Sequence, residues 1–195
     1  MALTNKLGIV ADCFPNPNGE LYLDRLTSAN NELFERIRTS RRFPIRGNVR
    51  MLDVGSGDMS SEFVNRYSIE FPNTEIVYLD SANFLLKELN KPNKVCADAT
   101  NMPFLDNSFD IAYAGHIISG GIIKEQFHFK DESYKIAKES YRVLKKDGFF
   151  IFTYCMGDDT QTLTNLGEIG FKDLEHLQRI KWYGGIPTDT YLVRK

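Results

Sequence analysis

The sequence predicts an α/β fold: a doubly wound, mostly parallel sheet of about seven strands, with helices on both faces and an antiparallel hairpin at its C-terminal end. Three observations carry this. From residue 48 onward, strand-like runs alternate with helix-periodic segments. The runs are apolar at consecutive positions, as strands covered on both faces are. The last two of them flank a glycine-rich turn and can pair back on each other.

The first strand covers 49–54 and leads into Asp53-Val54-Gly55-Ser56-Gly57, where two residues without Cβ allow a sharp turn and close approach of a ligand. A helix over 60–67 follows, with Phe63, Val64 and Tyr67 on one face. Phe71-Pro72-Asn73 breaks it, and 75–80 forms the second strand. Ser81 is placed to cap a short helix carrying Phe84, Leu85 and Leu89, which Asn90-Lys91-Pro92 ends. The third strand is brief, 94–97, and the fourth covers 109–114. A helix over 131–145 shows a stripe of Tyr134, Ala137, Tyr141 and Leu144, and Lys146-Asp147-Gly148 stops it. Phe149 to Tyr154 reads as the fifth strand, 159–170 as a helix, and 172–182 with 190–193 as the hairpin around Gly184-Gly185-Ile186-Pro187.

The chain of 195 residues suits one domain with a sizeable core, its first 48 residues forming a helical cap segment and 49–195 the sheet. Hydrophobic residues at 42% are ordinary for a soluble globular protein, and a net charge of −2 gives no global reason to expect nucleic acid or an anionic membrane as partner. Cys13, Cys96 and Cys155 are widely spaced, which speaks against a disulfide framework and a zinc site and fits a cytoplasmic location. No apolar run is long enough for a membrane span.

In open sheets of this kind, ligands bind beyond the carboxyl ends of the strands, near the switch in strand order. Asp53, Asp80 and Asp98 stand at three successive strand ends. Asp53 can orient the glycine turn or an ammonium group, Asp80 can accept from two ribose hydroxyls, and Asp98 can receive an adenine amino proton. Met59 occupies the place of a third glycine, which a dinucleotide loop needs for its helix to approach pyrophosphate. That argues against a dehydrogenase.

The chain resembles the class I S-adenosylmethionine-dependent methyltransferases, whose core is Rossmann-like, and among them the small-molecule enzymes of ubiquinone and menaquinone biosynthesis. The resemblance rests on Met51-Leu52-Asp53-Val54-Gly55-Ser56-Gly57, Val77-Tyr78-Leu79-Asp80, the run from Cys96 through Asp98, Ala99, Met102, Pro103 and Phe104 to Asp110, and Glu139-Ser140-Tyr141-Arg142-Val143-Leu144 with the following Gly148. It implies S-adenosyl-L-methionine as cofactor, and no metal ligands are expected. Gly55 and Gly57 would flank the methionine end, Asp80 would hold the ribose, and Asp98 with Ala99 the adenine. Asp53, Ser56, Ser81 and Gly115 complete the implied cofactor set.

The partner is then a small-molecule methyl acceptor. His116, just past the fourth strand, is the candidate catalytic residue, as a general base or as part of the pocket lining. Residues 115–123 suit a mobile pocket wall or a short buried turn. His128 belongs to a lid or a loop, and His176 to the hairpin's structure. Arg36, Arg38, Arg41, Arg42, Arg46 and Arg50 form a basic cluster that either steers an anionic substrate or RNA phosphate or is a solvated helix end. The fourth strand reads Ala112-Tyr113-Ala114-Gly115, without the Asn/Asp-Pro-Pro-Tyr that DNA-base amino methylation would require by the same resemblance. Two alternatives stand beside methyl transfer: a catalytically silent cofactor-binding protein and an RNA methyltransferase.

Overall fold

The computed structural model describes residues 35, 48–57, 62–119, 128–155, 159–181 and 187–195. Strand β1 (Arg50–Val54) is followed by helix α1 (Glu62–Glu70), β2 (Glu75–Asp80), α2 (Asn83–Glu88), β3 (Lys94–Cys96) and β4 (Phe109–Ser119). Then come α3 (His128–Val143), β5 (Leu144–Cys155), α4 (Asp159–Ile169), β6 (Lys172–Lys181) and β7 (Pro187–Arg194). The seven strands form one sheet in the order β3-β2-β1-β4-β5-β7-β6. β1 pairs in parallel with β2 and β4, β2 with β3, and β4 with β5. β7 runs antiparallel between β5 and β6.

Alternation along the central strands fills both faces. Leu52, Val54, Val77, Leu79, Ala112, Ala114, Phe150 and Phe152 point to one side, where Ile136, Ala137 and Val143 of α3 and Leu166 of α4 cover them. Met51, Ile76, Tyr78, Ile111, Tyr113 and Ile151 point to the other, under Phe63, Val64 and Tyr67 of α1 and Leu86 of α2. A strand so covered cannot slip by one residue without exchanging its two buried sets.

Several boundaries differ from those the sequence suggests. Helix α3 ends at Val143 rather than at Lys145, because its last carbonyls are taken by the chain entering β4. Asn107 N–H donates to Arg142 C=O at 3.1 Å and Ser108 N–H to Val143 C=O at 2.7 Å. Leu144 pairs with Phe109 instead of continuing the helix. In α2 the N-cap position is Ala82, with no side-chain cap, so Ser81 does not serve as the cap. The amide of Ala82 is satisfied by Asp80 instead, Oδ1 accepting at 2.8 Å. Leu86 and Leu89 are buried, but Phe84 is exposed.

The largest difference lies in β4. It does not end at Ala114; it continues to Ser119 through a shift in register, with Ala114 opposite Phe152 and Ile118 opposite Tyr154. Residues 115–117 therefore face Thr153 alone, a bulge at the carboxyl edge. Residues 115–119 are thus strand rather than a loop or turn, while 120–127 lie outside the described residues.

Of the N-terminal segment, only Glu35 and Asn48 are described; Glu35 is helical and its Oε1 lies 3.8 Å from Arg66 Nη2 of α1. Of the basic cluster, only Arg50 is described. Its amide donates to Asp110 at 2.9 Å, its Nε lies 3.2 Å from Glu75, and its guanidinium covers the Phe109 ring at 4.7 Å. Among the described residues, no helix is long and apolar enough to cross a membrane, and no cluster of His, Cys, Asp and Glu could hold a metal ion.

Ser140 on α3 is fully buried, and its hydroxyl has no hydrogen-bond partner among the described residues. Replacing such a group by a methyl removes a desolvated donor from the core and raises helix propensity. Ser140→Ala is expected to stabilise the fold by about 0.5–1 kcal/mol in urea unfolding, whereas Leu79→Ala in the same core costs about 2–5 kcal/mol. A loss of stability in Ser140→Ala would show that the hydroxyl is paired in solution.

Candidate functional site

β1 leaves the sheet between β2 and β4, where the strand order reverses, and its exit is the glycine turn. Gly55 and Gly57 have φ of 72° and 60°, a left-handed backbone that favours glycine. Both Gly55 N–H and Ser56 N–H donate to Leu79 C=O, at 2.8 and 3.1 Å, which folds the turn back over the end of β2.

Asp80, the last residue of β2, ties the edge together. Its Oδ2 accepts Gly57 N–H at 2.9 Å while Oδ1 accepts Ala82 N–H. One carboxylate thereby joins the glycine turn to the start of α2, through charge-assisted bonds stronger than neutral ones. Its backbone carbonyl accepts Ala97 N–H at 3.1 Å, bringing the end of β3 alongside, and the Cys96 thiol lies 3.6 Å from Ser81 C=O.

Asp98 follows β3 and is exposed. Its Oδ1 accepts both the Thr100 amide at 2.7 Å and the Thr100 hydroxyl at 2.8 Å. These bonds hold its carboxyl below the usual carboxylate range. Asp53 stands at the end of β1, where the expected strand 49–54 puts it. It is the penultimate residue of β1, only 2% exposed, in register with Tyr78 on one side and Tyr113 on the other. Burial first, and then the Asp53 charge, push the Tyr78 hydroxyl up.

The loop between β3 and β4 is fixed from α3. Arg142 donates from Nε and Nη2 to the two carboxylate oxygens of Glu139, at 2.8 and 2.7 Å. Its Nη1 also reaches Phe104 C=O at 2.7 Å and Asp106 at 2.8 Å, and Nη2 reaches Met102 C=O at 2.9 Å. Glu139 in turn accepts Met102 N–H at 2.8 Å. The Arg142 bonds hold the Glu139 carboxyl below its ordinary value, and Glu139 raises the Arg142 guanidinium. Sequence reasoning missed this role, though opposite charges three residues apart on one helix were its visible signal.

Gly55, Ser56, Gly57, Asp80, Ser81, Asp98 and Ala99 therefore converge on one edge, across three adjacent strands. Gly115 and His116 stand on β4, on the other side of β1. The side chain of His116 lies outside the described residues, as do Asp58 and Met59 and the side chain of His128. His176 pairs within the hairpin, its Nε2 lying 2.6 Å from Asp189 Oδ1. A cavity of about 510 Å³ lined by Tyr134, Lys138, Tyr141 and Lys195 opens beside Arg142 at the opposite edge, away from the strand ends where such sheets bind ligands.

Residues 52–152, more than half of the chain, match the family profile of the methyltransferase domain. The chain belongs to this family. No curated relative matches it by sequence. Solved structures of the same fold include the 4+2 cyclase SpnF, with a TM-score of 0.64 at 19% identity, covering 87% of this chain and 81% of that one. A SAM-dependent methyltransferase from Archaeoglobus fulgidus aligns with a TM-score of 0.59 at 14% identity, over 90% of this chain and 98% of its own. The 1,6-didemethyltoxoflavin-N1-methyltransferase of Burkholderia thailandensis, solved with 1,6-didemethyltoxoflavin and S-adenosylhomocysteine, gives 0.59 at 14% identity, over 91% of this chain and 81% of its own.

The cofactor of this methyltransferase family is S-adenosyl-L-methionine, and the residues present fit it. The Ser56 hydroxyl is buried at the turn with no hydrogen-bond partner among the described residues, a polar atom that a ligand there would satisfy. Among the described residues, chain neighbours aside, no atom lies within 4 Å of where a Cβ on Gly57 would stand.

The Glu139–Arg142 pair sets an acid limit on stability. Because folding lowers the Glu139 pKa, its contribution is fully present above the unfolded value near 4.3 and fades as pH falls through the lower folded value. Glu139→Gln is expected to cost about 1–3 kcal/mol at pH 7 and clearly less at pH 3, by urea unfolding at each pH. An equal cost at both pH values would refute the assignment.

Proposed function

We propose that this chain is an S-adenosyl-L-methionine-dependent methyltransferase acting on a small molecule. The observation that carries the reading is Asp80, whose carboxylate joins the glycine turn to the start of α2 and whose backbone carbonyl holds the end of β3 at the switch point. When bound, the cofactor supplies an electrophilic methyl group, so the protein's task is placement. The turn 55–57 would receive the methionine end, with Ser56 donating its unpaired hydroxyl. Asp80 keeps free lone pairs for ribose hydroxyls after accepting two amides. Asp98, held ionised by Thr100, would accept from the adenine amino group beside Ala99, and Ser81 borders the same space. Asp53, desolvated beneath the turn, would favour an ammonium group above it, since its field is little screened. Gly115 would offer backbone contact to the cofactor.

His116 lies in the β4 bulge, the kind of irregularity that re-aims side chains beside active sites. We propose it as the base that takes the acceptor's proton at an imidazole nitrogen. The net charge, and the engagement of Arg50 in structural contacts, favour a small acceptor over RNA. A second reading, cofactor binding without methyl transfer, is supported by the likeness to a protein described as a cyclase.

Calorimetry with S-adenosylhomocysteine tests the first half. The chain is expected to bind it, and Asp80→Ala to weaken binding about 10–100-fold. No binding at millimolar ligand refutes the reading. Labelled methyl transfer into a small-metabolite extract separates the two readings, because binding without transfer leaves only the second. His116→Ala is expected to lower the transfer rate about 100-fold or more with cofactor affinity unchanged, and an unchanged rate removes His116 as the base.

A further inference from the structure

The β4 bulge holds a contact that the cofactor edge alone does not account for. Gly115 follows Tyr113 on the same face of the strand. A Cβ at 115 would stand 2.8 Å from Tyr113 Cε1 and 3.0 Å from its hydroxyl oxygen. The tyrosine ring therefore lies along β4 toward the carboxyl edge, in the space any side chain at 115 would take. The same ring stacks on Phe63, centroids 5.0 Å apart and planes inclined by 23°. Phe63 belongs to α1, the first helix after the glycine turn, and contacts Tyr67 one turn on at 6.1 Å. Tyr113 and Phe63 are both buried, and Asp53 lies in register beside Tyr113, just before the turn.

One ring thus spans the two halves of the edge, with the bulge that carries His116 on one side and the helix leaving the turn on the other. Interiors packed at crystal-like density do not absorb a displaced ring, so a push at 115 must be passed to Phe63 or to the strand.

We infer that Tyr113 is a positioning residue that sets the height of the glycine turn against the β4 bulge, and that position 115 is glycine to leave the slot for its ring. This rests on the carboxyl edge being the cofactor site, as proposed above. Tyr113 acts through Phe63 and α1, so it needs no contact with cofactor or acceptor.

The test is a double-mutant cycle of Gly115→Ala and Tyr113→Leu, with S-adenosylhomocysteine affinity and thermal unfolding measured on each protein, and with binding read at a temperature where circular dichroism shows all of them folded. Each single variant is expected to weaken binding about tenfold, since small misplacements at such sites are costly. Gly115→Ala in the Tyr113→Leu background is expected to add less than about twofold, because the clash is gone. Tyr113→Phe keeps the ring and is expected to stay within about threefold of wild type. A folded Gly115→Ala protein with wild-type affinity, or fully additive effects, overturns the inference while leaving the cofactor site standing. Failure of the wild-type chain to bind overturns both.

Discussion

The carboxyl edge of this sheet hangs on one carboxylate. Asp80 accepts a backbone amide on each oxygen, one from the glycine turn and one from the start of α2, and both turns would otherwise leave a donor facing the half-buried end of β2. An ionised acceptor satisfies both at once and fixes their separation to the width of a carboxyl group. Two amides on the carbonyl of Leu79, immediately before it, complete the joint. A preformed edge matters for methyl transfer, because a reactive methyl group needs alignment more than chemical assistance.

A second polar joint, on α3, does the same work from the other side of the loop between β3 and β4. Arg142 spends its fork on one carboxylate and then reaches two carbonyls of that loop, so a segment without regular structure is held by a rigid helix. The helix gives up its last turn to the same end, its carbonyls serving the chain that enters β4. Lys195 joins the cluster, donating to Leu144 C=O at 2.7 Å and to Asn107 at 2.9 Å. Burial and the nearby Arg142 lower its ammonium pKa, and burial is the larger cause.

Much of this was legible in the residues. Local pattern placed the described strands and helices of the central sheet, because strands buried on both faces and helices striped on one leave strong signals. The acids at the strand ends and the two glycines marked the edge, since positive φ and close approach favour glycine. What stayed hidden depends on partners distant in sequence. Ser81 looks like a cap until Asp80 is seen to hold the amide of Ala82. Lys145 looks helical until Leu144 is seen paired with Phe109. Gly115 looks like a strand end until the ring of Tyr113 is found in its place, and no local rule registers a β4 that continues through a bulge. Phe84 fits an apolar stripe, but its short helix buries Leu86 instead.

The placement of β7 bears on how the chain comes to be folded at all. β6 is synthesised first, yet among the described residues its partner in the sheet is β7, which must insert between it and β5. Until then β5 presents an open edge rich in Phe149, Phe150, Ile151 and Phe152, the kind of surface that recruits another nascent chain. The non-local closure is also the slow kind of step. β6 carries charge at Lys172, Asp173 and Glu175 and breaks its own register twice, which makes it a poor template for such pairing while it waits. The outer strand thus carries the features that discourage edge pairing, and the interval of exposure belongs to β5.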